Sequence, residues 1–271
     1  MRYLKASDVK LRKRSKISHK GENGKVLIVG GSVDYVGAVM LAALAAYRSG
    51  ADWVEVVAPE KVAWAINTFS PDIITTKVKG NYFTAASARK VIELSKNFDV
   101  TLIGNGIGRR ANTQQFAART TRGIKGIKVI DADALTSIHL KDVSNAILTP
   151  HHSELEKLLR NSRISRKDLR KKIGNNVIVL KGEVDEIISK DKTVFNRTGN
   201  EGMTVGGTGD VLAGLAAGLL AQEKELFKAA CAAAYVNGRA GDELLRQKGY
   251  GFLASELLGR IPSVLRRLRN G

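Results

Sequence analysis

The chain has 271 residues, of which 44 are Lys or Arg, 26 are Asp or Glu and one is Cys, so its formal net charge is +18. This length suits one large α/β domain or two small ones. The single cysteine, Cys231, excludes a disulfide framework and a cysteine-based zinc site. No apolar run approaches the roughly 18 residues of a membrane span, and the basic N-terminus lacks the apolar stretch of a signal peptide. We therefore expect a cytoplasmic protein that does not associate with membranes.

The positive charge is concentrated in three segments, which are residues 10–20, 160–172 and 260–269. Such charge suits either general solubility or attraction to polyanions, including nucleic acids and phosphate-rich small molecules. Aromatic residues make up only 6% of the chain and do not interleave with the basic segments. Because single-stranded nucleic acids bind largely by stacking on aromatic side chains, nucleic-acid binding is not favoured.

Strand and helix patterns alternate along most of the chain. Strands are predicted over residues 26–29, 53–58, 99–103, 127–130, 146–148 and 176–180, with a hairpin over residues 185–196. Helices are predicted over residues 38–49, 85–96, 153–160, 210–221 and 225–246 and from about residue 253, whereas residues 75–84 look irregular. This alternation predicts a three-layer α/β domain, a mostly parallel central sheet with helices on both faces. We expect a basic N-terminal segment, residues 1–23, and a single domain, residues 24–271.

Four of the predicted strands end in unusual sequences. These are Gly30-Gly31-Ser32, Gly104 to Gly108, Asp131-Ala132-Asp133 and Thr149-Pro150-His151. Ligands of parallel α/β sheets bind outside the carboxyl ends of the strands, and these loops all fall on that edge. The sequence therefore predicts a ligand site there, although Asp131 and Asp133 could instead cap the helix that follows them.

A glycine-rich turn, Gly206-Gly207-Thr208-Gly209-Asp210, leads into a predicted helix. Small residues let main-chain N–H groups approach phosphate oxygens, and a helix N-terminus carries about half a positive charge. Asp210 is the unexpected residue, because its carboxylate repels phosphate. Two interpretations stay open: it caps the helix, or it is a general base that takes the proton of a substrate hydroxyl facing a phosphoryl donor.

Two standard phosphate-binding motifs fit less well. The Walker pattern is absent, because neither glycine-rich loop continues into Lys-Ser or Lys-Thr. The Gly104 to Gly108 loop, with Asp131 at the end of the next strand, approaches the dinucleotide-binding fingerprint. Its third glycine is one position early and Arg109 occupies the required place. A dinucleotide-dependent dehydrogenase is therefore a weaker alternative.

Together these loops resemble those of the ADP- or ATP-dependent NAD(P)H-hydrate dehydratases, a branch of the ribokinase-like fold. The resemblance extends from Gly24 to Leu258. Its landmarks are Gly30-Gly31-Ser32 with Tyr35-Val36-Gly37-Ala38, Gly104 to Gly108, Asp131-Ala132-Asp133-Ala134-Leu135, Thr149-Pro150-His151 with Glu154, Leu180-Lys181-Gly182 and Gly206 to Asp210. Each landmark alone is modest, whereas six in the right order and spacing are specific.

The resemblance implies a repair reaction on hydrated NADH and NADPH (NADHX and NADPHX). Such enzymes phosphorylate the ring hydroxyl with ADP or ATP and then eliminate phosphate, and the resemblance favours ADP, which becomes AMP. Asp210 matches the family's catalytic aspartate, which also contacts the substrate. The remaining substrate positions it implies are Ala38, Gly106 and His151. The nucleotide-binding positions it implies are Lys181, Gly182, Glu183, Val184, Asp185, Asn200, Gly207, Thr208 and Gly209.

Mg²⁺ is the implied cofactor, because a divalent cation bridges the donor phosphates in phosphoryl transfer. Asn105, Asp131 and Glu154 are candidate ligands, but phosphate and water can hold Mg²⁺ without a carboxylate cluster, so no protein ligand is assigned. The chain departs from the family pattern at Asn105, where proline is common. It also has His151-His152-Ser153-Glu154 in place of His-Pro-Gly-Glu. Register favours His151 as the substrate contact, and a polar residue at a helix N-terminus is the alternative.

Two other functions stay open. A small-molecule kinase of the same fold, acting on a sugar, hydroxymethylpyrimidine or thiazole alcohol, shares the glycine-rich turn and Asp210 but not the Tyr35 to Ala38 and Asp131 to Leu135 landmarks. A basic nucleic-acid-binding protein is the third candidate. The resemblance also implies a homo-oligomer, such as a tetramer. About 23 residues precede the first predicted strand, so we expect no epimerase domain of the kind that many microbial relatives carry.

Overall fold

The central strands are short apolar segments that are buried on both faces, as parallel strands between two helical layers are. Val26 to Val29, for example, have no exposed surface. The computed structural model describes residues 1–270. Its strands are β1 (Lys25–Val29), β2 (Trp53–Pro59), β3 (Ile74–Val78), β4 (Val100–Ile103), β5 (Ile127–Ile130), β6 (Ala146–Leu148), β7 (Val177–Leu180), β8 (Asp185–Ile188) and β9 (Thr193–Asn196).

The nine strands form one sheet in the order β3-β2-β1-β4-β5-β6-β7-β8-β9. All neighbours from β3 through β7 are parallel, whereas β8 and β9 form an antiparallel hairpin at one edge. The predicted mostly parallel sheet is therefore confirmed. Strand order reverses where β1 lies between β2 and β4, and such a reversal opens a crevice at the carboxyl ends of the strands.

Helices cover both faces of the sheet, as predicted. They are α1 (Val36–Arg48), α2 (Glu60–Phe69), α3 (Ala88–Ser95), α4 (Ala111–Gly123), α5 (His152–Ser162), α6 (Leu169–Lys172), α7 (Thr208–Glu223), α8 (Leu226–Lys248) and α9 (Ala254–Asn270). Helices α1, α2, α7, α8 and α9 share one apolar core with the sheet, and α3 to α6 share the other.

Helix α7 packs closely on α1 because its glycines leave room for the α1 main chain. A Cβ atom on Gly214 would lie 2.0 Å from Ala42 O, and one on Gly218 would lie 2.7 Å from Ala46 O. The small-residue stretch of α7 is thus a helix-packing surface. This packing fixes the N-terminus of α7 at the carboxyl end of the sheet, where the glycine-rich turn lies.

The structure corrects the sequence-based elements in four places. Strand β3 lies in the segment expected to be irregular, because an edge strand with alternating polar residues lacks the apolar signature of a buried strand. Helices α2 and α4 have no predicted counterpart, and α4 is rich in Thr, Arg and Gln. Helix α7 begins at Thr208, two residues before the predicted start.

The basic N-terminal residues extend from strand β9 to the start of strand β2. Main-chain hydrogen bonds join Leu4 N to Phe195 O at 2.8 Å and Phe195 N to Arg2 O at 2.9 Å, so the segment begins beside β9. Further along, Arg14 forms an ion pair with Asp52, directly before β2. Over residues 1–270, no helix combines the length and the hydropathy needed to cross a membrane.

Candidate active site

Glycines let three strand ends meet at the carboxyl edge of the sheet. Gly31 N, after β1, donates to Asn105 O, after β4, at 2.8 Å. A Cβ atom on Gly30 would lie 2.5 Å from the same oxygen. Gly104 has φ +130°, and a Cβ atom there would lie 1.9 Å from Asp131 O, after β5. These positions exclude other residue types and bring Asn105 and Asp131 together.

A buried polar cluster lies where these strand ends meet. Asn105 Nδ2 donates to Asp131 Oδ2 at 2.9 Å and to Asp210 Oδ1 at 2.7 Å. Asp131 Oδ1 in turn accepts from Thr149 Oγ1 at 2.7 Å and from Lys181 Nζ at 3.1 Å. Four separate loops therefore contribute to one hydrogen-bonded network that ends at Asp210. Asp131 makes no side-chain cap to the following turn, so its interpretation as a helix cap is wrong.

The N-terminus of α7 forms the open side of this network. Gly207 is the N-cap residue, with φ +101°, and Thr208 Oγ1 donates back to Met203 O at 2.8 Å. The interpretation of Asp210 as the N-cap is therefore wrong, since it lies in the first turn. The first N–H groups of a helix have no partner within the helix and point towards its N-terminal end, where they can bind a phosphate.

Asp210 has an environment that favours its protonated form. Its pKa is raised to about 6, chiefly by burial and also by the nearby Asp131 carboxylate, while the hydrogen bond from Asn105 and the charge of Lys181 act in the opposite direction. Asp210 Oδ1 is occupied by Asn105, and Oδ2 has no hydrogen-bond partner within residues 1–270. A carboxylate with a pKa near 6 is ionised at neutral pH yet basic enough to accept a proton, as a general base must be.

Lys181 is the cation of the site. Burial alone would lower its pKa, but Asp131 at 3.1 Å and Glu154 at 3.9 Å keep the pKa above the ordinary value of lysine. Its Nζ lies only 3.3 Å from the position that a Cβ atom on Gly209 would take. The glycine therefore lets a fixed positive charge lie beside the N-terminus of α7, where a phosphate would sit.

His151 lies at the N-terminus of α5, next to the strand end that carries Lys181. Its main-chain N donates to Glu154 Oε2 at 2.9 Å, and its Nδ1 accepts from Glu154 N at 3.4 Å, so that the two residues cap the helix. The alternative interpretation, a polar helix N-terminal residue, thus describes its observed contacts. Its Nε2 lies 3.3 Å from Glu154 Oε1, and half of the His151 side chain is exposed.

The two other positions implied as substrate contacts, Ala38 and Gly106, touch each other. Gly106 has φ +65°, and a Cβ atom there would lie 2.8 Å from Tyr35 O and 3.1 Å from Ala38 Cβ. The N-terminus of α1 therefore packs directly on the loop that contains Asn105. These two residues form the wall of the crevice on the side of β1.

Residues 181–185 form the turn between β7 and β8. Gly182 N donates to Asp185 Oδ1 at 3.2 Å, and Asp185 Oδ2 accepts from Asn196 Nδ2 at 3.0 Å. Burial raises the pKa of Asp185. Glu183 is exposed and Val184 is half-buried. Hydrogen bonds therefore hold the Asp185 end of the turn, whereas Gly182 and Glu183, next to Lys181, are exposed.

Asn200 begins the loop that precedes the glycine-rich turn. Its Oδ1 accepts from Gly202 N at 3.0 Å, and its Nδ2 lies 3.4 Å from Asp242 Oδ1 on α8. Asp242 also accepts from Gly199 N at 3.2 Å. Sequence reasoning missed Asp242, because a single acidic residue in a long helix carries no motif.

The chain is similar in sequence to known proteins of one family. Residues 26–263 match the NAD(P)H-hydrate dehydratase family. The chain belongs to this family. An ADP-dependent (S)-NAD(P)H-hydrate dehydratase of Cenarchaeum symbiosum is 35% identical over 271 residues, which cover 93% of this chain and 92% of the relative. The bifunctional NAD(P)H-hydrate repair enzyme of Methanothermobacter thermautotrophicus is 40% identical over 263 residues, which cover 92% of this chain.

This chain spans about half the length of the bifunctional relatives in the dehydratase family, 51% in the Methanothermobacter case. The ADP/ATP-dependent NAD(P)H-hydrate dehydratase of Bacillus subtilis, crystallised with ATP and Mg²⁺, has a similar structure. Its TM-score is 0.81 at 26% identity, and the match covers 98% of each chain. The ribokinase-like fold that the family resemblance implies is confirmed.

Proposed function

We propose that this chain is a nucleotide-dependent NAD(P)H-hydrate dehydratase, which converts NADHX or NADPHX to NADH or NADPH. The observation that carries the proposal is the placement of Asp210, a carboxylate with a pKa near 6, in the first turn of a glycine-capped helix beside Lys181. Asp210 as a base, the anion-binding N-terminus of α7 and the cation Lys181 are then adjacent to the same part of the crevice. In-line transfer of a phosphoryl group to a hydroxyl requires these three elements.

Asp210 Oδ2 would take the proton of the substrate hydroxyl as its oxygen attacks the terminal phosphorus of the nucleotide. The new bond is the O–P bond to the substrate, and the bond that breaks joins that phosphorus to the rest of the nucleotide. Lys181 and the N–H groups at the N-terminus of α7 would neutralise the charge on the transferred group. Asp131 holds Lys181 in place through the 3.1 Å ion pair.

Phosphorylation converts the hydroxyl into a good leaving group. The carbon–oxygen bond then breaks and inorganic phosphate leaves with the bonding electrons. The neighbouring ring carbon gives a proton to water, which restores the ring double bond. With ADP as the donor, the products are NADH or NADPH, AMP and phosphate. We propose ADP because the Cenarchaeum symbiosum relative is named as ADP-dependent.

Mg²⁺ would be held mainly by the phosphates of the nucleotide. Within residues 1–270, no group of three or more His, Cys, Asp or Glu side chains is arranged to hold a metal ion. No side chain is therefore assigned as a ligand, and the phosphates of the nucleotide together with water would supply the oxygens around the ion. This donor set fits Mg²⁺, which prefers oxygen ligands and usually keeps several waters. When bound, the ion neutralises charge on the donor phosphates.

We propose that Ala38, Gly106 and His151 line the substrate side of the crevice and that residues 181–185, Asn200, Gly207, Thr208 and Gly209 line the nucleotide side. Support comes from the contacts between Ala38 and Gly106 and from the pairing of the His151 and Lys181 segments. We further propose residues 24–271 as the dehydratase domain. Homo-oligomer formation and a cytoplasmic location stay predictions from the sequence.

The direct test is the absorbance of reduced nicotinamide at 340 nm, recorded with purified protein, NADHX, Mg²⁺ and either ADP, ATP or no nucleotide. We expect a rise that requires nucleotide and is faster with ADP, together with one AMP and one phosphate for each NADH formed. Folded protein that gives no rise with either nucleotide contradicts the proposal. Phosphorylation of a thiazole or pyrimidine alcohol by that same protein would then indicate a small-molecule kinase.

A further inference from the structure

Asn105 lies between the two aspartates of the buried network. The side chain is fully buried, and its Nδ2 donates to both Asp131 and Asp210. Its main-chain oxygen accepts from Gly31 N, so the loop is fixed as well as the side chain. We propose that Asn105 is a positioning residue that orients Asp210 so that Oδ2 receives the substrate proton. This inference rests on the proposed function of Asp210 as the base.

A primary amide suits this position better than other side chains. One amide nitrogen carries two hydrogens, and here each hydrogen is directed at a different carboxylate. Both carboxylates accept from the same nitrogen, so the amide cannot turn without losing both bonds. Asp210 Oδ1 is thereby held, and the oxygen left without a partner within residues 1–270 is Oδ2. The amide thus determines which oxygen of the base faces the crevice.

The same nitrogen connects the base to the cation. Asp131 Oδ2 accepts from Asn105, and Asp131 Oδ1 accepts from both Lys181 and Thr149. The distance between Asp210 and the phosphate-binding cation is therefore set by a continuous chain of hydrogen bonds. The bond from Asn105 also favours the charged form of Asp210, against the burial that raises its pKa. Asn105 consequently influences both the orientation and the protonation of the base.

The test compares Asn105→Ala and Asn105→Asp with a matched control, Asn176→Ala. Asn176 is also buried and hydrogen-bonded, to Val143 O and Ile173 O, but lies directly before β7 at the opposite edge of the sheet. The first measurement is the ¹³C carboxyl titration of Asp210 in protein without ligand, assigned by its absence in Asp210→Asn. Thermal unfolding identifies any variant that is not folded. If one of the two Asn105 variants does not fold, the other is sufficient for the test.

We expect the titration midpoint of Asp210 to rise by about one pH unit in Asn105→Ala, the scale of one hydrogen bond to a charged group. Asn105→Asp should raise it further, because a third carboxylate replaces the donors. Asn176→Ala should leave it unchanged. The acid limb of kcat/KM for dehydration should move by the same amount, so that the loss of activity is larger at pH 6 than at pH 8.

An unchanged midpoint in both Asn105 variants, by titration and by the pH profile, overturns the proposal. A pH-independent loss that the Asn176→Ala control shares would also overturn it, because that result indicates only loss of folded protein. Absence of dehydration by the wild-type chain contradicts the proposed function instead. The carboxyl titration then still decides whether Asn105 governs the protonation of Asp210.

Discussion

At the N-terminal end of the strands, Asp52 accepts from the main-chain N–H groups of Gly21 and Asn23 and from the Asn23 side chain, and it pairs with Arg14. At the C-terminal end, Asp210 accepts from Asn105 alone among residues 1–270 and lies near two further carboxylates. Burial acts on both aspartates, yet the pKa of Asp52 is lowered, because its donors outweigh burial, whereas that of Asp210 is raised to about 6.

The difference teaches that burial alone does not mark a functional carboxylate. Asp210 differs from Asp52 because it is buried with too few hydrogen-bond donors. Its charged form therefore lowers the stability of the folded protein. Natural proteins tolerate such costs mainly where the group performs chemistry. The end of the sheet with satisfied charges is structural, and the end with the undersatisfied carboxylate is the candidate active site.

The largest expected effect comes from removing the cation at the site. In Lys181→Met, Asp131 and Glu154 lose their counter-charge within the buried network. We expect a loss of about 3 kcal/mol of stability, which lowers the melting temperature by about 6–12 °C. The control is Lys224→Met, which breaks the exposed pair with Asp99 at the other end of the sheet and should cost less than about 1 kcal/mol. Equal losses in the two variants would remove the distinction between the ends.

Gly104→Ala tests the close approach of the strand ends. The new Cβ atom would meet Asp131 O, and the backbone has φ +130°, so we expect a loss of about 2–3 kcal/mol together with reduced turnover. Gly108→Ala is the matched control, because Gly108 also has positive φ but has no atom within 4 Å of the added Cβ. It should cost only the conformational strain, about 1 kcal/mol. Chemical denaturation of both variants and their turnover provide the comparison.

Asp52→Asn probes the structural end. The folded-state pKa of Asp52 is lowered, so its charge stabilises the protein above the unfolded-state pKa, and that contribution disappears as the pH falls through the folded-state pKa. We expect the variant to lose about 1 kcal/mol at pH 7, with turnover unchanged. The loss should shrink in unfolding experiments below about pH 4. A variant with wild-type stability and reduced turnover would show that Asp52 contributes to catalysis and not to stability.

Asp210→Asn should stabilise the protein, whereas Asp52→Asn should destabilise it, and the effect of Asp210→Asn should be the smallest of the four. Since the folded-state pKa is raised, ionisation of Asp210 destabilises the folded protein as the pH rises through about 6. At pH 8 we therefore expect the variant to melt about 2–4 °C above the wild type. The difference should vanish below about pH 4, where the carboxyl is protonated in both states. Thermal melts at both pH values check this sign, and a variant that is less stable at pH 8 would contradict it.

The sequence predicts the edge on which the site lies but not the contacts inside it. Glycines after β1 and β4 and the aspartates after β5 indicate the carboxyl edge, because parallel strands bring their ends together. The hydrogen bond from Asn105 to Asp210 joins residues 105 positions apart and depends on how α7 packs on α1. The ion pair between Lys181 and Asp131 likewise depends on the strand order. No local pattern specifies either contact.

Elements at the periphery of the fold are difficult to predict from the sequence for a related reason. Strand β3 has a neighbour on one side only, and four of its five residues are at least partly exposed, so it lacks the apolar run of the central strands. Helix α4 buries Phe116 and Ala117 among polar residues, and its apolar periodicity is correspondingly weak. Buried elements carry their pattern in the sequence, whereas edge elements depend on the neighbours that they pack against.

The turnover of Asp210→Asn tests most directly whether Asp210 is the base. NADHX, Mg²⁺ and ADP are mixed with wild type, Asp210→Asn and the control Asp52→Asn, and the rise at 340 nm is recorded beside the affinity for ADP from calorimetry. We expect Asp210→Asn to lose about 10²-fold or more in turnover, the scale of a general base, and to keep its affinity for ADP. Turnover of Asp210→Asn at the rate of the wild type and of Asp52→Asn would show that Asp210 is not the base.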